Sequence, residues 1–158
     1  MSMEIYLLTN ETIPSLAAWQ DAIDALKFDV RLIDQHELPT KEIRIKAQCQ
    51  GKPVLLEIER ADLAYVRSEF PEIEFPDGVS FVHVLRWNKT LEGGLAASEA
   101  AAAYISFVKG LMIDTEEGKL NNSTRAVELA REMSAGMPAL QDLFAEIVAK
   151  YQGQKKGN

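Results

Sequence analysis

The chain has 158 residues, of which 47% are hydrophobic and 26% charged, a composition typical of one globular domain. Its single cysteine, Cys49, and two histidines are too few for a zinc finger or an iron–sulfur cluster, and we expect neither a metal nor a cofactor. A net charge of −7 opposes binding to nucleic acid or to an anionic membrane and favours a basic partner.

The first third of the chain has the pattern of a strand, a helix and a second strand. The apolar run at residues 5–8 predicts the first strand, and apolar residues at spacings of three and four from Leu16 to Leu26 predict an amphipathic helix. The run at residues 30–33 predicts a second strand, which we expect in the same sheet. His36, in the polar connection that follows, is expected at the surface. The sequence contains neither a basic leader nor an apolar stretch of about 20 residues, so the expected location is the cytoplasm.

The middle of the chain carries the clearest strand pattern. Apolar and polar residues alternate through residues 42–60, with turn residues at 50–53. This pattern predicts an antiparallel hairpin with one solvent-exposed face. A short helix is predicted over residues 61–70. Residues 79–87 are apolar on both faces, which is typical of a strand covered on both sides, and we expect this strand at the centre of the sheet.

Helices dominate the last third. Thr90 is predicted to cap an alanine-rich helix that ends at Gly110, and residues 111–120 predict a small hairpin or an irregular loop. Two further helices are predicted, one over residues 123–133 ended by Gly136 and one that begins at Pro138. The last helix is expected to bury its apolar stripe, formed by Leu140, Leu143, Phe144, Ile147 and Tyr151.

Together these elements predict a single α+β domain over residues 1–151, followed by a flexible polar tail at residues 152–158. The expected architecture is a β-α-β start, with the hairpin and the central strand in one mixed sheet and the helices packed on it.

His83 is the candidate catalytic residue, because it is a titratable group within an apolar strand. Its placement predicts an imidazole that is mostly buried and neutral near pH 7. It is either a structural core histidine or a general base paired with a carboxylate from the neighbouring hairpin, such as Glu57.

The acidic segment at residues 57–77 is the candidate binding surface. It contains seven acidic residues against the two bases Arg60 and Arg67, and aromatic residues lie among them. Charges of one sign steer a protein partner and aromatic rings anchor it, although the same pattern also fits a solvated face over core aromatics. The candidate partner-binding residues are Glu57, Glu59, Asp62, Tyr65, Glu69, Phe70, Glu72, Glu74 and Asp77.

Two glycine-containing segments lack the spacing of known ligand loops. Residues 114–118 are acidic but do not have the EF-hand arrangement, so a solvated turn is expected. Gly93 and Gly94 have no accompanying phosphate-loop residues, so a flexible helix entry is expected.

The order of elements and the segment from Gly110 to Gly118 resemble small bacterial α+β proteins, some of which are immunity proteins that neutralise polymorphic toxins. The resemblance implies an acidic, non-enzymatic inhibitor whose partner is a protein. We therefore expect a protein-binding module. The alternatives are a small enzyme or ligand-binding domain that uses His83, and a structural homodimer paired through the hairpin edge or the last helix.

Overall fold

The computed structural model describes residues 3–33, 43–115 and 117–156, which form seven strands and four helices. His36 lies outside the described residues. The strands are β1 (Glu4–Thr9), β2 (Arg31–Leu32), β3 (Ile43–Cys49), β4 (Lys52–Ala61), β5 (Phe81–Trp87), β6 (Leu111–Asp114) and β7 (Lys119–Asn122). The helices are α1 (Leu16–Ala25), α2 (Leu63–Glu69), α3 (Leu91–Val108) and α4 (Ser123–Lys156). The predicted α+β fold is confirmed.

The described strands form one sheet in the order β2-β3-β4-β5-β1-β6-β7. β5 is the middle strand, as its two apolar faces predicted. Every described pairing is antiparallel, so the expectation of a mixed sheet is wrong. β1 and β2 share the sheet but β3, β4 and β5 lie between them, so the β-α-β start is not a pair of adjacent strands.

The predicted hairpin is formed by β3 and β4. Cys49 pairs with Lys52, leaving Gln50 and Gly51 as a two-residue turn with φ of 53° and 77°. Positive φ at both central residues is the geometry of a type I′ turn, whose twist matches that of the strands it joins. The turn residues in the sequence therefore determine the hairpin register.

Helices α1, α3 and α4 cover one face of the sheet, which we call the helical face. Small alanine side chains let α3 approach its neighbours closely, and Trp19 of α1 donates a hydrogen bond of 2.8 Å from Nε1 to the Ala100 carbonyl. Thr90 caps α3 by accepting from the Gly93 amide, as predicted. Gly93 lies inside α3 and not in a flexible entry. Glycine is required there because a Cβ would stand 2.5 Å from the Asn88 carbonyl oxygen.

On the opposite face, α2 and the following loop cover β1, β5 and β6. This second core is smaller and includes Tyr6, Leu8, Val66, Val82, Val84 and Ile113. The predicted short helix is thus confirmed. The remaining part of this face, on β3 and β4, carries exposed polar residues such as Arg44 and Lys46.

The C-terminal helix differs most from expectation. The two predicted helices are one continuous helix, α4, which passes through Gly136 and Pro138 and extends to Lys156, beyond the predicted end at Tyr151. Buried Met137 holds the helix to the core beside the proline, and such tertiary contacts override local propensity.

The apolar stripe predicted to be buried is exposed instead. Its members are 43–59% exposed: Leu140, Leu143, Phe144, Ile147 and Tyr151. The physical reason is length, because α4 has 34 residues and α3, its packing partner, has 18. At about 1.5 Å per residue, α4 exceeds α3 by roughly 24 Å.

Candidate functional site

His83 lies on the helical face of β5, half-buried, with its ring centroid 6.0 Å from that of Tyr104 on α3. Burial, with a smaller contribution from the charge of Arg60, lowers the pKa of the imidazole from 6.5 to about 4. This lowered pKa agrees with the prediction that His83 is neutral near pH 7. Its Nδ1 atom is buried and has no hydrogen-bond partner among the described residues.

The pairing of His83 with Glu57 is wrong. In the β4–β5 register, His83 is opposite Arg60 whereas Glu57 is opposite Arg86. Since directly opposed residues share a face and successive residues alternate, the imidazole and the Glu57 carboxylate lie on opposite faces of the sheet. They cannot act as a catalytic pair.

Glu57 and Glu59, the first acids of the segment, belong to ion pairs across the strands. Arg44 Nε lies 3.0 Å from Glu57 Oε1. Arg86 bridges two carboxylates, with Nε 2.9 Å from Glu4 Oε2 and Nη1 2.8 Å from Glu59 Oε2. Arg44 thus offsets the charge of Glu57, and Glu59 shares the single charge of Arg86 with Glu4, so these two glutamates contribute less to an external field than unpaired acids would.

The acids that follow lie on α2 and its loop and remain exposed. We define the acidic face as Asp62, Tyr65, Glu69, Glu72, Glu74 and Asp77, all of which are exposed. Within the described part of the chain, no ion pair involves its five carboxylates. Asp62 additionally caps α2 by accepting from the Ala64 amide at 3.0 Å.

The aromatic residues of the segment separate into two groups. Tyr65 is 58% exposed, and the charge of Glu69 together with its hydrogen bond to the phenol raises the pKa of Tyr65. Phe70 instead packs on Tyr6, with ring centroids 5.4 Å apart, and Phe75 packs against the same core. Of the aromatic residues predicted to contact a partner, Phe70 is therefore largely a core residue, and Tyr65 is the accessible one.

Sequence reasoning missed a buried ionisable pair beneath α3. Glu99 is 1% exposed and accepts a hydrogen bond of 3.2 Å from the Asp29 amide, and its Oε1 lies 3.8 Å from Cys49 Sγ. Burial raises the pKa of Glu99 to about 7, and burial next to Glu99 raises that of Cys49 to about 12. Cys49 is thus an unreactive thiol at neutral pH. The sequence signal that could have identified this buried pair was Glu99, a charged residue among the alanines of the predicted helix.

Neither a metal site nor a membrane span is found in the described ranges. No group of three His, Cys, Asp or Glu residues there is placed to hold a metal ion. No described helix has both the length and the apolar character needed to cross a bilayer.

Comparison with known proteins identifies no relative. The sequence matches no protein-family model. Neither the search of curated proteins nor the search of solved structures gives a significant match.

Proposed function

We propose that the protein is a non-enzymatic binding module that recognises a basic protein partner through the acidic face, in the manner of an inhibitor or immunity protein. One observation carries the proposal: five exposed carboxylates without ion pairs to described residues lie on the same short helix and loop as the exposed ring of Tyr65. The resemblance of the sequence to immunity proteins agrees with it.

The charge of the acidic face is what a steering surface requires. Residues 62–77 contain five acids and one base, Arg67. The Arg67 guanidinium lies 5.8 Å from the centre of the Phe75 ring, and it offsets only part of the negative charge. Such a field raises the encounter rate with a cationic surface, and it acts over about 10 Å at 0.1 M salt.

Tyr65 supplies the contact that charge alone does not. Tyrosine is enriched among the residues that dominate binding energy, because it buries a large ring and retains a hydroxyl for hydrogen bonding. On this surface the Tyr65 phenol interacts with Glu69, one of the five acids on the same short helix and its loop. We therefore assign association rate to the acids and residence time to Tyr65.

The alternative of an enzyme that uses His83 has less support. The one proposed carboxylate partner, Glu57, lies across the sheet, and the low pKa of His83 makes it a weak base at neutral pH. The unpartnered Nδ1 is equally accounted for by an internal water molecule.

The first test is affinity capture from the source cells with matched charge variants. The test variant is E69Q/E72Q/E74Q/D77N, and the control is E11Q/D21N/D24N/E117Q, whose sites are exposed, lie outside the acidic face and make no ion pair with described residues. Both variants lose the same charge, so a general charge effect would act on both. The proposal predicts one basic protein that is captured by the native chain and the control and lost with the test variant. Equal capture by all three chains, or no specific capture, would contradict it.

A further inference from the structure

The C-terminal part of α4 presents an apolar surface that is largely exposed. Beyond Gln141, which hydrogen-bonds to Gln50 at 3.1 Å and Glu92 at 3.2 Å, every residue with described burial is exposed. The surface comprises Leu140, Leu143, Phe144, Ile147, Val148 and Tyr151, and we call it the distal stripe. Exposed apolar patches larger than a few hundred Å² mark interaction sites in soluble proteins.

The distal stripe continues a heptad pattern that is already used within the fold. Ala126, Ala130 and Met137 are separated by four and then seven residues along α4, which places them at a and d positions of one heptad register, and they are buried against the core. The a and d positions of the same pattern continue through Leu140, Phe144, Ile147 and Tyr151. Leu143 and Val148 flank them at g and e, which widens the apolar face as in a helix bundle.

We propose that the distal stripe is covered by the same stripe of a second copy, in an antiparallel two-fold dimer. The stripe is complementary to itself in that orientation. With the axis between Ala145 and Glu146, residues whose numbers sum to 291 face each other. This register places Leu140 against Tyr151 and Phe144 against Ile147, and the two-fold axis repeats each pair. Every a and d residue of the stripe thus faces an apolar residue, and Leu143 and Val148 flank the seam on its two sides.

The helix dipoles favour the same orientation, because two antiparallel helix dipoles attract each other and two parallel ones repel.

A groove on the domain continues the proposed interface. It has a volume of about 250 Å³ and lies between α3, α4 and the sheet, where Met133, Met137 and Leu140 meet Trp87 and Leu91. The register places Tyr151 of the second copy beside Leu140, at the edge of this groove. The end of one helix therefore meets the body of the other protomer.

The area available suits a specific dimer. Six side chains that are about half exposed, each with a full area of roughly 200 Å², supply about 600 Å² per copy, or about 1,200 Å² in total. That value is at the lower end of stable interfaces, and contact at the groove adds to it. A second copy thus accounts for the whole stripe without any other partner.

Sedimentation velocity over a concentration series tests the dimer. The native chain is expected to approach twice its 17.6 kDa mass. F144E/I147E is expected to remain monomeric with unchanged circular dichroism, because it places charges at the centre of the stripe. A149E, at an exposed position on the other side of the same helix, is the control and is expected to dimerise as the native chain does. A native monomer at all concentrations, or a dimer that persists in F144E/I147E, would overturn the proposal.

Cysteine cross-linking tests the orientation. A mixture of L140C and Y151C chains is expected to form a disulfide between the two kinds of chain under mild oxidation, while neither chain alone is cross-linked. Native Cys49 is buried and does not compete. Cross-linking of L140C to itself would show a parallel pair and would contradict the register. These results do not depend on the acidic face, which lies on the opposite face of the sheet from α4.

Discussion

The buried carboxyl of Glu99 makes stability depend on pH in a direction opposite to that of an ordinary surface glutamate. Because burial raises its pKa from 4.5 to about 7, the folded chain retains a proton that the unfolded chain releases between these values. The free energy of unfolding therefore falls as pH rises through that interval. At about 1.36 kcal/mol per tenfold change in proton affinity, the full effect is roughly 3 kcal/mol.

His83 has the opposite effect over an overlapping interval. Burial lowers its pKa from 6.5 to about 4, so the unfolded chain binds the proton first and stability rises with pH across that range. In the native chain the two contributions oppose each other between about pH 4.5 and 6.5. Within that interval each contribution to stability is masked until the other group is removed.

Glu99→Gln removes the buried charge and retains an acceptor oxygen for the Asp29 amide. We expect the variant to be about 1–3 kcal/mol more stable than the native chain at pH 8. Its stability should rise between pH 4 and 6.5, because the His83 contribution is then unopposed, whereas His83→Gln should lose stability between pH 4.5 and 7. Urea unfolding followed by circular dichroism at successive pH values gives both curves. Parallel curves for the native chain and Glu99→Gln would refute the assignment of a raised pKa to Glu99.

Two further predictions use urea unfolding with paired substitutions. Met137→Ala should cost about 2–5 kcal/mol because Met137 is 1% exposed, whereas Phe144→Ala, at 59% exposure, should cost less than about 1 kcal/mol at concentrations where a dimer dissociates. Equal costs would mean that the end of α4 folds back on the domain. Gly110→Ala should cost about 1–3 kcal/mol, since the new Cβ would stand 2.7 Å from the Leu8 carbonyl oxygen, whereas Gly136→Ala in α4 meets nothing within 4 Å and should stabilise by about 0.5–1 kcal/mol. A neutral Gly110→Ala would show that β1 and the end of α3 are not in close contact.

Sequence patterns correctly predicted those strands and turns whose conformation depends mainly on their own residues. The alternation at residues 42–60 and the turn residues at 50–53 predicted the hairpin, and the two apolar faces of residues 79–87 predicted the central strand. Sheet order was not accessible in the same way. β2 pairs with β3 and is separated from β1 by three strands, because pairing depends on contacts between distant segments.

The C-terminal helix shows where periodicity stops being informative. The spacing of Leu140, Phe144 and Ile147 predicted an apolar face correctly, but spacing does not show what covers that face. The local propensities of Gly136 and Pro138 predicted a break between two helices, whereas the burial of Met137 maintains one continuous helix. For the acidic segment, the charges are evident from the residue types, but only the strand register shows that Glu57 pairs with Arg44 and that Glu59 shares Arg86 with Glu4.

The association rate of the captured partner tests the proposed function most directly. It is measured by stopped flow at about 10 mM and 100 mM salt, where the screening lengths are about 30 and 10 Å. For the native chain the rate should fall steeply with salt, and E69Q/E72Q/E74Q/D77N should associate about tenfold more slowly at low salt with a flatter dependence. Tyr65→Ala should leave the association rate unchanged and speed dissociation. Identical rates and salt dependences for the native chain and the charge variant would contradict the assignment of the acidic face as the partner-binding surface.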